Sequence, residues 1–174
     1  MSTLRFNTWQ NTGGTEVANS TLGTGKILQV VNATQSTQVS TTSTSFVSAN
    51  LSATITPSSS SSKILVVCQF SLASRITTGT GGNTGSSAQI DRDGTGLAIT
   101  TLERAGSSTS VTELRAPASL IYLDSPATTS AVTYNTKIRS QNSGYTTIAH
   151  ANDIILFSES ENHTGSITLM EVSA

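Results

Sequence analysis

His150 and His163 are the two side chains of this sequence that ordinarily titrate near neutrality, so any general base would be sought there first. Serine is so abundant that a Ser-His-Asp arrangement can be drawn from almost any region. What would give such a drawing substance is a Gly-x-Ser-x-Gly elbow, and the chain has none. His163 lies in Glu161-Asn162-His163-Thr164-Gly165 and His150 in Ala149-His150-Ala151-Asn152-Asp153. Both read as turn or interface residues. A glycosidase would pair two of the ten carboxylates across a sugar. It would also want aromatic platforms, and four Phe, three Tyr and one Trp are few for that purpose. Asp91-Arg92-Asp93-Gly94 opens like a calcium loop but lacks the later ligands and the closing Glu. An Asp-Gly hairpin turn accounts for it. Gly79-Thr80-Gly81-Gly82 lacks the Lys-Ser/Thr ending of a phosphate loop. Cys68 sits inside Ile64-Leu65-Val66-Val67-Cys68 and reads as a buried structural thiol. One cysteine makes neither a disulfide nor a zinc site. The expectation is a protein with no cofactor, no metal and no enzymatic activity.

The elements that would carry such residues are extended ones. Serine and threonine make up roughly a third of the 174 residues, while charged residues are 11%. Ordinary globular chains carry about 25% charged residues. Thr, Val and Ile suit a pleated surface, and the good helix formers are scarce. Net charge is −1, from nine basic and ten acidic residues. That balance argues against nucleic acid as a partner, which calls for a basic patch. It also leaves little repulsion between copies. No apolar run approaches the length of a membrane-spanning helix. Met1-Ser2-Thr3-Leu4-Arg5 leads into polar residues, so no secretory leader is expected and synthesis in a reducing cytoplasm is.

Strand signals recur from Lys26 onward. Phe46 to Thr56 alternates, with Leu51, Ala53 and Ile55 on one face. Lys63 to Leu72 places Ile64, Val66, Cys68, Phe70 and Leu72 together. Ala88 to Ile99 reads as a hairpin around Asp93-Gly94. Leu114 to Leu123, Thr128 to Arg139, Thr146 to Ala149, Asp153 to Phe157 and Ser166 to Val172 complete eight to ten strands. Turn signals separate them at short intervals, and no segment keeps a 3.6-residue period. The reading is all-β, an antiparallel β-sandwich or jelly roll over residues 26–174. Residues 1–25 form a short extended N-terminal arm. Leu4, Phe6 and Trp9 are its docking residues. Thr77 to Ser87 and residues 105–110 read as surface loops, with Thr80, Gly82, Asn83, Ser107 and Ser108 as candidate contact residues.

Several strands are apolar on both faces: Leu65 and Val67, Ile121 and Leu123, Ile155 and Phe157. A half-buried strand hides one face and wets the other. These six residues are therefore the expected subunit interface, and a homo-oligomer is the expected state.

The chain also resembles tail-fibre and virion proteins of marine bacteriophages. The opening Met1-Ser2-Thr3-Leu4-Arg5-Phe6-Asn7 and Gln10-Asn11-Thr12-Gly13-Gly14 carry the likeness. So do Leu51-Ser52-Ala53-Thr54-Ile55-Thr56-Pro57, Ser62-Lys63-Ile64-Leu65-Val66, Asp91-Arg92-Asp93-Gly94-Thr95, Tyr122-Leu123-Asp124-Ser125-Pro126, Thr133-Tyr134-Asn135 and the ending Ser166-Ile167-Thr168-Leu169-Met170-Glu171-Val172. The resemblance implies a compact β-sandwich module of a phage virion, trimeric, docked to other virion proteins by its arm. It carries no catalytic residues across. A tail location with loops meeting a host-surface glycan or protein is the first expectation. Capsid decoration is the second, and a soluble carbohydrate-binding module the remote third.

Overall fold

A computed structural model describes residues 25–76, 84–104, 113–142, 144–150 and 163–174. They form ten antiparallel strands in two facing sheets: β1 (Ile27–Gln35), β2 (Val39–Thr41), β3 (Val47–Ile55), β4 (Lys63–Ile76), β5 (Thr84–Arg92), β6 (Thr95–Arg104), β7 (Glu113–Asp124), β8 (Val132–Ser140), β9 (Tyr145–Ala149) and β10 (Gly165–Val172). The expected all-β sandwich is what the chain builds. The arm with Leu4, Phe6 and Trp9, the loop residues Thr80, Gly82, Asn83, Ser107 and Ser108, and the Asp153–Phe157 strand with Ile155 and Phe157 lie outside the described residues.

β4 is the beam of the first sheet. Its 14 residues pair with β7 along one edge. On the other edge they pair with β10 from Lys63 to Gln69 and with β9 from Leu72 to Ile76. β1 extends the sheet beyond β10, and β2 beyond β9. The second sheet runs β3-β8-β5-β6.

Period-two patterning decides the layers. Ile64, Val66, Cys68, Phe70 and Leu72 are buried, as their alternation demands, and meet Leu51, Ala53, Ile55, Ile90, Tyr134, Ile138, Ile167 and Leu169 in one core. Burial pushes the Cys68 thiol up to about 12, so it stays a protonated, inert filler. The β5–β6 hairpin closes on Asp93 and Gly94, both at positive φ (47° and 96°), as a two-residue primed turn requires. One seam of the sandwich is stitched by side chains. Gln29 Nε2 donates to the Thr56 carbonyl at 2.7 Å, and Gln35 Nε2 to the Asn50 carbonyl at 3.2 Å.

Two expectations are corrected. Thr84 to Ser87, read as loop, is the first half of β5. Ser86 is fully buried, with its Oγ 2.7 Å from Thr147 Oγ1 and donating to the Ala73 carbonyl. Hydroxyls satisfied inside the sandwich replace the apolar side chains that strand patterning looks for. The strand signal that begins at Lys26 is apolar only as far as Val31, yet β1 runs on to Gln35, because β10 continues to pair with Asn32, Ala33, Thr34 and Gln35.

Candidate assembly interface

Among the described residues, the outer face of the first sheet is where large apolar side chains gather exposed. In antiparallel ladders, directly paired residues project on the same side. Pairings Val30↔Met170, Met170↔Leu65 and Leu65↔Leu123 therefore lay one apolar row across four strands. The next row is Asn32, Thr168, Val67 and Ile121. Ile121 is 69% exposed, Val30 57% and Leu123 49%. Leu65, Val67 and Met170 are half-buried between them. Ile27 and Leu28, at the bulged start of β1, extend the patch at 58% and 48%. These rows carry no charged residue, and Lys63 stands in the adjoining row, paired with Val172. Of the six interface residues expected from sequence, Leu65, Val67, Ile121 and Leu123 are thus brought together as one surface.

The other outer surface is different in kind. Ser48, Ser52 and Thr54 of β3 pair with Lys137, Asn135 and Thr133 of β8. Thr54 Oγ1 and Thr133 Oγ1 lie 2.9 Å apart. Ile99, beside Gln89, is the single large exposed apolar residue among the described residues of that sheet. The sandwich therefore has one wet side and one greasy side.

Beyond the apolar rows, where β9 and β10 part company along β4, a groove of about 600 Å³ opens. Gln69, Ser71, Arg115, Pro117, His163 and Ser166 line it. Arg75 and Arg115 both ion-pair with Glu113 nearby. His163 sits on this rim, while His150 does not. His150 is fully buried at the end of β9, at φ 54°, with no access to a substrate. It is a turn residue as expected, but a core one rather than an interface one. Its Nε2 faces the Ala49 carbonyl at 3.0 Å and its ring tilts against Phe70 at 5.3 Å. Its Nδ1 has no partner among the described residues.

Charges that sequence reading left unassigned are structural ties. Glu171, fully buried, accepts from Ser58 N (2.8 Å), Ser58 Oγ (2.6 Å) and Gln29 Nε2 (2.6 Å). It thereby joins β10 to β1 and to the β3–β4 turn. Burial alone would raise its carboxyl, but hydrogen bonds from Ser58, Gln29 and Ser62 outweigh that and hold it at about 2, below the ordinary 4.5. His150 is shifted down from 6.5, by burial first, against the opposing bond to Ala49. Both shifts give the same sign. The unfolded chain binds these protons more readily than the folded one, so acid destabilises. The His150 contribution is lost as pH falls below 6.5, and that of Glu171 as pH falls from 4.5 through about 2. Urea unfolding at stepped pH will show both limbs. Glu171→Gln will flatten the lower limb, and His150→Asn, which tolerates the left-handed φ, the upper.

The residues that sequence reading missed in the apolar rows are Val30 and Met170. The signal was present in Thr168-Met170-Val172 and around Gln29, but it becomes a surface only once β1, β10 and β4 are in register.

No known protein family matches the chain, and no characterised protein matches it in sequence. Solved structures align with it at low similarity. The T=1 particle structure derived from infectious bursal virus is 15% identical over 84% of this chain and 36% of that one, with a TM-score of 0.34. The VP2 subviral particle of infectious bursal disease virus is 12% identical over 83% and 38%, with a TM-score of 0.36. Dimeric latent PorU from Porphyromonas gingivalis is 13% identical over 95% and 14%, with a TM-score of 0.39. The chain spans well under half the length of each of these proteins.

Proposed function

We propose that this protein is a structural component of a phage particle whose copies join through the apolar outer face of the first sheet. The observation that carries the association is the row Val30, Met170, Leu65 and Leu123, flanked by Val67 and Ile121. Scattered apolar residues on a surface need no partner, whereas contiguous ones mark a contact. The opposite face, rich in hydroxyls and amides, stays in water. The near-neutral composition leaves little charge to oppose contact between copies. The motif resemblance supports the virion assignment, as a tail-fibre or tail-associated module. Closed cyclic symmetry uses up each such face without open-ended polymerisation, and a trimer is the arrangement we favour. Contact with a host glycan or protein would fall to the loops around Thr80 and Ser107. A high copy number per particle would instead move the protein to the capsid shell as a decoration.

Sedimentation at micromolar concentration tests the association. The protein should run as an oligomer, and Ile121→Lys should run as a monomer with an unchanged β-sheet spectrum. Losing the burial of Ile121 costs about 2 kcal/mol, which is ~30-fold in Kd. A buried ammonium adds to that. A wild-type protein that sediments as a monomer would overturn the proposal.

A further inference from the structure

We infer that the free edge of β7 pairs with the β7 edge of a second copy, antiparallel and about a two-fold axis, so that the first sheet runs on from one copy into the next. This goes beyond the face contact proposed above. It concerns backbone groups at the margin of the sheet, not side chains across it.

Backbone directions along β7 follow from one hydrogen bond. In an antiparallel ladder, opposed residues either exchange both N–H···O bonds or turn those groups away from each other. Ser71 of β4 stands opposite Pro117 of β7. The Ser71 carbonyl accepts from His150 N at 2.9 Å, on the β9 side. It therefore points away from β7, and Ser71 and Pro117 form an unbonded pair. That is where a strand tolerates proline, because the missing N–H is one that would have faced outward. The register from Arg75↔Glu113 to Ile64↔Asp124 has no shift, so every second residue repeats the arrangement. Ser119, Ile121 and Leu123 thus turn their N–H and C=O groups out of the edge. Among the described residues no strand pairs with that edge, and the three side chains stand exposed on the outer face.

The opposite margin is closed. Gln29 and Gln35 reach from β1 to the carbonyls of Thr56 and Asn50. The β1–β10 ladder also continues past Ile27, where Ser173 N donates to the Lys26 carbonyl at 2.8 Å and Gly25 N to the Ser173 carbonyl at 3.2 Å. A long edge strand with apolar side chains and no charge beside its free groups is a template for another strand. The stretch Ser119 to Leu123 has that character.

This stretch matches itself. Pro117 and Pro126 bracket it, so β7 offers outward N–H groups only between them. A second β7 brought up antiparallel offers the same window. Ile121 stands opposite Ile121 and Ser119 opposite Leu123, each pair exchanging both bonds. Pro117 falls opposite Ser125, past the end of the strand. No like charges are brought together. The axis is perpendicular to the sheet, so the apolar faces of both copies lie on one side, Val67 and Ile121 of one running into Ile121 and Val67 of the other. Face contacts build on such a pair instead of competing with it.

Ser119→Pro tests the pairing. It removes an outward N–H at a position of the same parity as Pro117 and leaves the β4–β7 ladder intact. The variant should keep its β-sheet spectrum and Tm and sediment at half the wild-type mass. Wild-type mass in a folded Ser119→Pro protein would overturn the inference while leaving face association standing. Val30→Lys, on the far strand of the apolar face, should spoil face contacts and still sediment as a dimer. A monomeric Val30→Lys protein would mean that the face alone carries assembly, and would overturn the pairing. Amide exchange in the assembled wild type reads the edge directly, whatever the variants do. The N–H groups of Ser119, Ile121 and Leu123 should exchange slowly. Free exchange there would overturn the inference, and so would slow exchange in a protein that sediments as a monomer, since the chain would then cover its own edge.

Discussion

Asp124→Ala will be the costliest single change to a polar residue in this protein, at about 3 kcal/mol. Asp124 ends β7, is 6% exposed, and forms an ion pair with Arg92 of β5. It also accepts the Tyr134 hydroxyl of β8 at 2.7 Å. Tyr134 is wholly buried. Burial first, and then the adjacent carboxylate, push its phenol far up, so it remains a donor at any working pH. Removing the carboxylate leaves that donor buried with its acceptor gone, and leaves Arg92 without its counter-charge. The Arg92 side chain is 25% exposed and can turn to water, which holds the cost at the lower end for a broken buried pair. In a chain of this size the loss corresponds to roughly 6–12 °C in Tm. Tyr134→Phe, which leaves the ion pair in place, should cost only about 1 kcal/mol. Thermal or urea unfolding of both variants checks the order. A Tyr134→Phe loss as large as that of Asp124→Ala would show that the hydroxyl, not the carboxylate, is the anchor.

Gly165→Ala will destabilise by about 2–3 kcal/mol, the upper part of the range for forcing volume into a filled core. A Cβ there would sit 2.5 Å from His150 Cε1, 2.6 Å from Nδ1 and 2.8 Å from Phe70 Cβ. The imidazole cannot swing away. The His150 backbone N–H donates to the Ser71 carbonyl at 2.9 Å, and the ring Nε2 lies 3.0 Å from the Ala49 carbonyl. The diagnostic is coupling between the sites. In a His150→Ala background only the Phe70 Cβ contact remains, so Gly165→Ala should cost markedly less. Equal costs in both backgrounds would mean that the ring is not the obstacle.

How much of this was legible depends on whether a feature is local. The core face of β4 could be read from Ile64 to Leu72 because period two is written in consecutive residues. The Asp93-Gly94 hairpin could be read because its dihedral demand is met by two adjacent residue types. β5 before Ala88 could not, since Thr84-Gly85-Ser86-Ser87 carries no apolar signal and is held by Thr147 and Gln141 from later in the chain. Nor could the burial of His150, whose surroundings come from β3, β4 and β10. Asp124, Arg92 and Tyr134 come from three strands, and Glu171 gathers its donors from β1 and the β3–β4 turn. The interface was half legible. Leu65, Val67, Ile121 and Leu123 betray themselves by being apolar out of phase, while Val30 and Met170 need the strand register.

Because the ladder between β1 and β10 runs on to Gly25 and Ser173, the two ends of the sandwich leave at one corner, side by side. Tension applied between them would peel these antiparallel strands apart one bonded pair at a time instead of shearing all their hydrogen bonds at once. Glu171, clasping Gln29 and Ser58 just inside that corner, is the first rivet such a pull would meet.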